Sequence, residues 1–339
     1  MELIATGGIR QTPEGDVYVG GMTQMWVANG DITLENPGND FVGTVDAMAL
    51  NVLLRDRNDL FIGRIQTWWG RGHVRLTAGG SILADCGCDA PNVIAGTAEF
   101  YAGHDIGHPL FINVGTLINA RAGNDIRLTQ VAGNMNILGQ VYAGRNVILD
   151  VWGGGIVDAD GDGRVPRNRI TPSNADIYAG GHMTLIAHFV GSLWNPVELI
   201  SRGPLWLDSH LPAGAPSSAY PWVNINGSVG GGPRNIFVDQ SGIPGLVQYN
   251  GQIVWGPWQT VRNFQLAQRS MADNDQSSLL DTGITDMPLF LQPDTGLFAL
   301  PAVRDDLREA EEKVIIGAEE DIPEDEPRTK VIGLPVTAL

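Results

Sequence analysis

Ala122-Gly123-Asn124-Asp125-Ile126-Arg127-Leu128 and Ala143-Gly144-Arg145-Asn146-Val147-Ile148-Leu149 are one phrase written twice, 21 residues apart. Each copy opens with small residues, passes through a polar position and continues with apolar residues at every second place. Alternation of that kind is the period of a half-buried strand and not of a helix. A strand phrase repeated with nothing helical between copies marks a repeat architecture, in which one unit cannot bury its apolar face alone and a stack of units can. The reading is a solenoid of stacked β-coils. Glycine or asparagine takes the left-handed corners, which other residues resist.

Looser copies lie on both sides: Ala28-Asn29-Gly30-Asp31-Ile32-Thr33-Leu34, Gly72-His73-Val74-Arg75-Leu76, Ala102-Gly103-His104-Asp105-Ile106 and Ala179-Gly180-Gly181-His182-Met183-Thr184-Leu185. From Ala143 to Ala179 is 36 residues, one period plus an insertion. The alternation sends Ile126, Leu128, Val147, Leu149, Met183 and Leu185 inward to stack coil on coil. Outward Asn and Thr are expected to exchange hydrogen bonds between coils.

The phrase Gly30-Asp31-Ile32-Thr33-Leu34-Glu35-Asn36-Pro37-Gly38-Asn39-Asp40-Phe41-Val42-Gly43-Thr44-Val45, with Ala28-Asn29 before it and the Ala-Gly-Asn-Asp-Ile copies after it, resembles the repeat regions of large bacterial exoproteins of the filamentous-haemagglutinin type. The resemblance is one of repeat style over about residues 25–190. It implies a right-handed parallel β-helix, secretion to the cell surface and a structural or adhesive role. The chain departs from that family in lacking its N-terminal secretion domain, in repeats that turn irregular after about residue 190, and in an acidic end.

The composition fits an all-β coil stack: 339 residues with 44 Gly, 20 Pro, 43% hydrophobic and only 17% charged residues. The formal net charge of −17 argues against nucleic acid or an anionic membrane surface as partner. No run of 18 apolar residues exists, so no helical membrane span is expected. The first eight residues, Met1 to Gly8, have neither the basic region nor the apolar core of a signal peptide. With coils under way by Asp31, the chain is read as part of, or cleaved from, a longer secreted precursor, located outside the cell or at its surface.

Two regions follow from the patterning. Residues 1–258 read as the β-solenoid, regular over about 25–190 and embellished over about 190–258, with Trp68-Trp69 just before a glycine-rich corner. Trp194, Trp206, Trp222, Trp255 and Trp258 gather in the embellished part and are expected to cap the core. Residues 259–339 read as an extended, partly helical acidic C-terminal arm. From Pro301 onward it holds eleven acidic against five basic residues. Its strip Val331-Ile332-Gly333-Leu334-Pro335-Val336 suits addition to a sheet edge, so Val331, Ile332, Leu334 and Val336 are the expected interface of a homo-oligomer or homopolymer, with a surface glycan or host receptor as the other partner class.

Asp158-Ala159-Asp160-Gly161-Asp162-Gly163 has the front half of a calcium loop, with acidic oxygens at positions one, three and five and Gly at six. The closing Glu at position twelve is absent, since that residue is Arg169. Asp158, Asp160 and Asp162 are the candidate Ca2+ ligands, against a solvated Asp-Gly turn. Cys86-Gly87-Cys88 is awkwardly spaced for a disulfide, and His104 and His108 lie too far along to complete a metal site. Gly153-Gly154-Gly155 and Gly230-Gly231-Gly232 lack the residues of a phosphate loop. Asp31, Asp105 and Asp125 occupy similar slots and would line one face, which keeps a polysaccharide lyase or glycoside hydrolase as the alternative. The preferred expectation is a non-catalytic structural or adhesive protein.

Overall fold

The computed structural model describes residues 1–85, 90–160, 170–192, 194–208, 221–238 and 246–255. It is an all-β solenoid of parallel strands. No α-helix occurs among the described residues; helical geometry is confined to two 3-10 turns, Trp68–Gly70 and Gly232–Asn235. No helix there is long and apolar enough to cross a membrane.

Three stacks of parallel strands build the coil. The longest is ten strands deep; Ile9, Ile32, Val52, Val74, Ala98 and Leu117 make one inward column, and Leu34, Leu54, Leu76, Phe100, Ala120, Val141, Ile177 and Leu199 make the next, down to Gly227. A second runs Leu60, Ile82, Ile106, Ile126, Val147, Met183, Leu205 and Ile236. A third runs Leu3, Met25, Ala47, Ile65, Val93 and Ile112. Alternation along most strands, as in Val147–Val151 with its buried and half-buried positions in turn, follows from the two-residue period of the pleat; Val197–Ser201, covered on both faces, is buried throughout. Ile126, Leu128, Val147, Leu149, Met183 and Leu185 are all buried in one continuous core. The described part closes with an antiparallel hairpin, Leu246–Tyr249 against Gln252–Trp255, turned by Asn250 and Gly251 at positive φ as a tight two-residue loop requires.

The Ala-Gly corner has a steric cause. A Cβ on Gly103, Gly123, Gly144 or Gly180 would lie 2.1, 2.0, 2.0 and 2.1 Å from the carbonyl oxygen of Gly79, Gly103, Gly123 and Gly144 respectively. Backbone therefore rests on backbone at this edge, coil after coil, and no side chain fits between. Next to it runs a polar ladder. The N–H of Ser81 donates to Asp59 Oδ1, that of Asp105 to Ser81 Oγ, that of Asp125 to Asp105 Oδ1, that of Asn146 to Asp125 Oδ1 and that of His182 to Asn146 Oδ1.

The ladder corrects one expectation. Asp105 and Asp125 share it, but Asp31 does not. Asp31 precedes the strand Ile32–Leu34 of the ten-strand stack and accepts from Asn51 Nδ2. The corner phrase is used at two different corners of the coil, because both need a tight bend followed by a capped strand. Three separated carboxylates on one face are therefore not formed. The aromatic cap is also corrected for the described side chains. Trp206 and Phe237 stack on each other with ring centroids 4.4 Å apart and face outward, 47% and 40% exposed, and Trp194 is 81% exposed. Trp206 and Phe237 sit at outward positions of the pleat, where a core residue cannot be, and Trp194 lies in a bend outside the strands.

Candidate metal centre

One column of the ten-strand stack loosens progressively. Ala98 and Glu99 are adjacent; the next coil places Ile118 between their partners Leu117 and Asn119. The coil after that places Leu138 and Gly139 between Ile137 and Gln140. In the following coil the strand breaks altogether. Asp158 pairs with Ile137 and Ile177 with Val141, so the strand is interrupted after Asp158 and residues 170–176 lead back into the stack at the Val141 column. Each bulge adds unpaired residues to one strand and bends it; here the bulge has grown into a loop.

The loop's return leg covers the outer face. Thr171 caps it, its N–H donating to Asn174 Oδ1 at 2.6 Å, and Gln140 Nε2 donates to Pro172 O and Ala175 O, each at 2.8 Å. Tyr178 stacks on Tyr142 with centroids 4.6 Å apart and is buried against Ala175 and Ile200. Residues that would face solvent on a regular coil are therefore enclosed.

Two of them are acidic: Asp176, at the neck of the loop, and Glu198 from the next coil, where Ile177 pairs with Leu199. They meet a third carboxylate, Asp158, which ends the strand above in the core-facing column of Ala98, Leu117 and Ile137. Asp158, Asp176 and Glu198 are 3%, 2% and 0% exposed, and a carboxylate oxygen of each lies within 4.8 Å of the others. Backbone groups hold the arrangement: Glu198 N donates to Asp176 Oδ2 at 2.8 Å, Asp160 N to Asp158 Oδ1 at 3.0 Å, and Asn195 Nδ2 to Asp158 O at 3.1 Å. Burial pushes the Asp176 carboxyl up to about 9, against the Glu198 N–H that favours its charged form, with the negative charges of Asp158, Glu198 and Asp160 adding to the rise. Like charges removed from water must take up a proton or a cation. Carboxylate oxygens converging from three directions are the donor set of a hard divalent cation, calcium above all, which wants six to eight oxygens.

Of the ligands expected from sequence, Asp158 is in this cluster. Asp160 lies beside it, exposed, and Asp162 and Arg169 fall outside the described residues. Asp176 and Glu198 were not visible in the Asp-x-Asp-x-Asp-Gly signal. Their trace in the sequence is an acidic residue at the same column of two successive strands, Asp176 before Ile177 and Glu198 before Leu199. Cys86, Cys88 and the arm, with Val331, Ile332, Leu334 and Val336, lie outside the described residues. His104 and Asp105 are described, at the start of a coil's second strand.

The geometry defines a parallel β-solenoid with an acid-lined loop neck. Residues 1–47 match a family profile described as repeats of unknown function (DUF5649). No curated protein and no solved structure matches the chain.

Proposed function

We propose that this protein is a non-catalytic, extracellular structural or adhesive β-solenoid, a subunit of a surface filament, sheath or large adhesin of the filamentous-haemagglutinin kind. The observation that carries the reading is the ten-strand stack, a succession of coils in which corner glycines and the Asp59-to-His182 ladder serve coil-to-coil stacking. Copies join through the C-terminal strip at Val331, Ile332, Leu334 and Val336, which adds as a strand to a neighbour's sheet edge. Negative-stain microscopy of the full chain and of a chain ending after Pro301 tests this. Fibres from the first and not the second are expected; single particles from both would overturn it.

Calcium belongs to the same reading. Held by Asp158, Asp176 and Glu198, with Asp160 beside them, it would close the loop neck and neutralise the buried charge. Binding to the folded state alone adds about 2.7 kcal/mol at a hundredfold excess over the dissociation constant, so chelation should lower the melting temperature and added calcium restore it.

A second reading, a polysaccharide-active enzyme, is favoured by one arrangement. On the outer face His73 Nε2 lies 3.6 Å from Glu99 Oε1, and Tyr101 OH donates to Glu99 Oε2 at 2.7 Å. Burial and then the Glu99 contact hold the Tyr101 phenol protonated, its pKa above the ordinary value. Release of unsaturated product from an acidic polysaccharide, lost in Tyr101→Phe, would establish this reading in place of the first.

A further inference from the structure

The corner from Thr67 to Gly72 is built rigidly. Gly72 N donates to Thr67 Oγ1 at 3.1 Å, Arg71 N to Trp68 O at 3.3 Å, and Trp68 Nε1 reaches across two coils to Val27 O at 2.8 Å. At its crest Trp69 holds φ 56° and ψ 14° and is 80% exposed. A left-handed conformation in a bulky residue costs about 1–3 kcal/mol and persists only where the surroundings enforce it. A glycine would sit there without strain. A tryptophan normally recovers such a cost by burying roughly 150–250 Å², yet this indole's only ring partner among the described residues is Trp68, tilted 48° with centroids 6.1 Å apart. The fold thus fixes a strained aromatic face and points it at solvent.

The size of the patch decides what fits. Under the turn the backbone carbonyl of the exposed Leu50 lies against Gly72. The turn's other neighbours are the half-buried Ile94, whose methyl lies beside Gly70, and the polar or bare-backbone residues Asn51, Arg71, Gly72 and His73. One indole, one leucine and one half-buried isoleucine fall well short of the roughly 800 Å² per partner of a stable protein interface. Arg71 is exposed and has no carboxylate partner among the described residues. A small flat apolar face with a cation beside it matches a sugar ring, which offers one C–H face and a rim of hydroxyls.

We propose that Trp69 is the platform of a glycan site, stacking a pyranose ring on its exposed indole, with Arg71 taking a carboxylate or sulfate on the same or the next sugar. This deepens the adhesive side of the proposed function and rests on it. Affinity electrophoresis of the full chain through gels containing alginate, a uronate polymer, or neutral dextran tests it. Retardation is expected in both, stronger in alginate. Trp69→Ala should weaken it about tenfold in each gel. Trp69→Gly should lose binding equally while melting at or above the parent temperature, which separates lost stacking from lost folding. Arg71→Ala should abolish the preference for alginate and leave dextran retardation unchanged. No retardation of the parent chain in either gel, or undiminished retardation of Trp69→Ala, would overturn the proposal. Fibre formation is scored on the same samples: fibres without retardation remove the glycan site and leave the scaffold reading standing, and retardation without fibres does the reverse.

Discussion

The stack through Ile106, Ile126 and Val147 and the broken strand at Asp158 are made from the same coil, yet they treat outward acidic residues in opposite ways. In the regular stack Asp105 and Asp125 each accept the N–H of the next coil, and Asp125 also meets Arg145 at 2.6 Å. Their charge stays at the surface and their oxygens serve the stacking. At the broken strand residues 170–175 fold over the outward column of Asp176 and Glu198, which are enclosed facing Asp158 at the end of the strand above. One coil plan yields a ladder of surface acceptors where its column is open to water and a concentration of buried charge where an insertion covers it.

The first way to break the comparison is to charge the regular core. Ile126→Asp buries a carboxylate with no partner, at a cost of roughly 3–5 kcal/mol. The chain should lose its cooperative melt, measured by circular dichroism. A variant that melts like the parent would mean the register is off by one residue. Next comes the corner. Gly144→Val sets a branched side chain where even a Cβ would lie 2.0 Å from Gly123 O, and the backbone must shift, at about 1–3 kcal/mol. An unchanged melting temperature would show that the corner can open.

The acidic neck gives a pH dependence with a defined sign. The folded-state pKa of Asp176 is raised from 3.8 to about 9. Its contribution is therefore fully present below about pH 4 and is lost as pH rises toward 9. In chelator the protein should lose stability across that range, and Asp176→Asn should flatten the loss. Calcium should flatten it too, by taking the place of the proton. A stability curve in chelator that rises between neutral pH and pH 9 would contradict the burial of Asp176. The smallest effect belongs to the ladder: Asp125→Ala removes the acceptor of Asn146 N and Nδ2 and should cost about 1 kcal/mol by urea melt.

Much of the fold was legible in the alternation after each Ala-Gly corner, because a two-residue period and a backbone-on-backbone corner both leave direct marks on the sequence. What the phrase could not say was which corner it served: Asp31 and Asp105 stand in the same wording and on different stacks, since any tight bend into a strand selects the same residues. Asp158 was legible through its spacing to Asp160 and Asp162. Asp176 and Glu198 were not, because their meeting depends on the growing bulge after Ala98, Leu117 and Ile137, a matter of register between coils. Trp69 could be placed just before a glycine-rich corner from sequence, but its exposure and left-handed backbone depend on the turn that anchors Trp68 to Val27.

The cation proposed at Asp158, Asp176 and Glu198 would close the neck of the broken coil and leave the regular stack unaffected. Amide hydrogen exchange with and without calcium tests it most directly. Calcium should slow exchange at Asp176–Ala179 and Val197–Ser201 in the parent chain and not in Asp176→Asn, with Ile126–Gln130 and Val147–Val151 equally protected throughout. Equal protection of the neck strands in calcium and in chelator would contradict it.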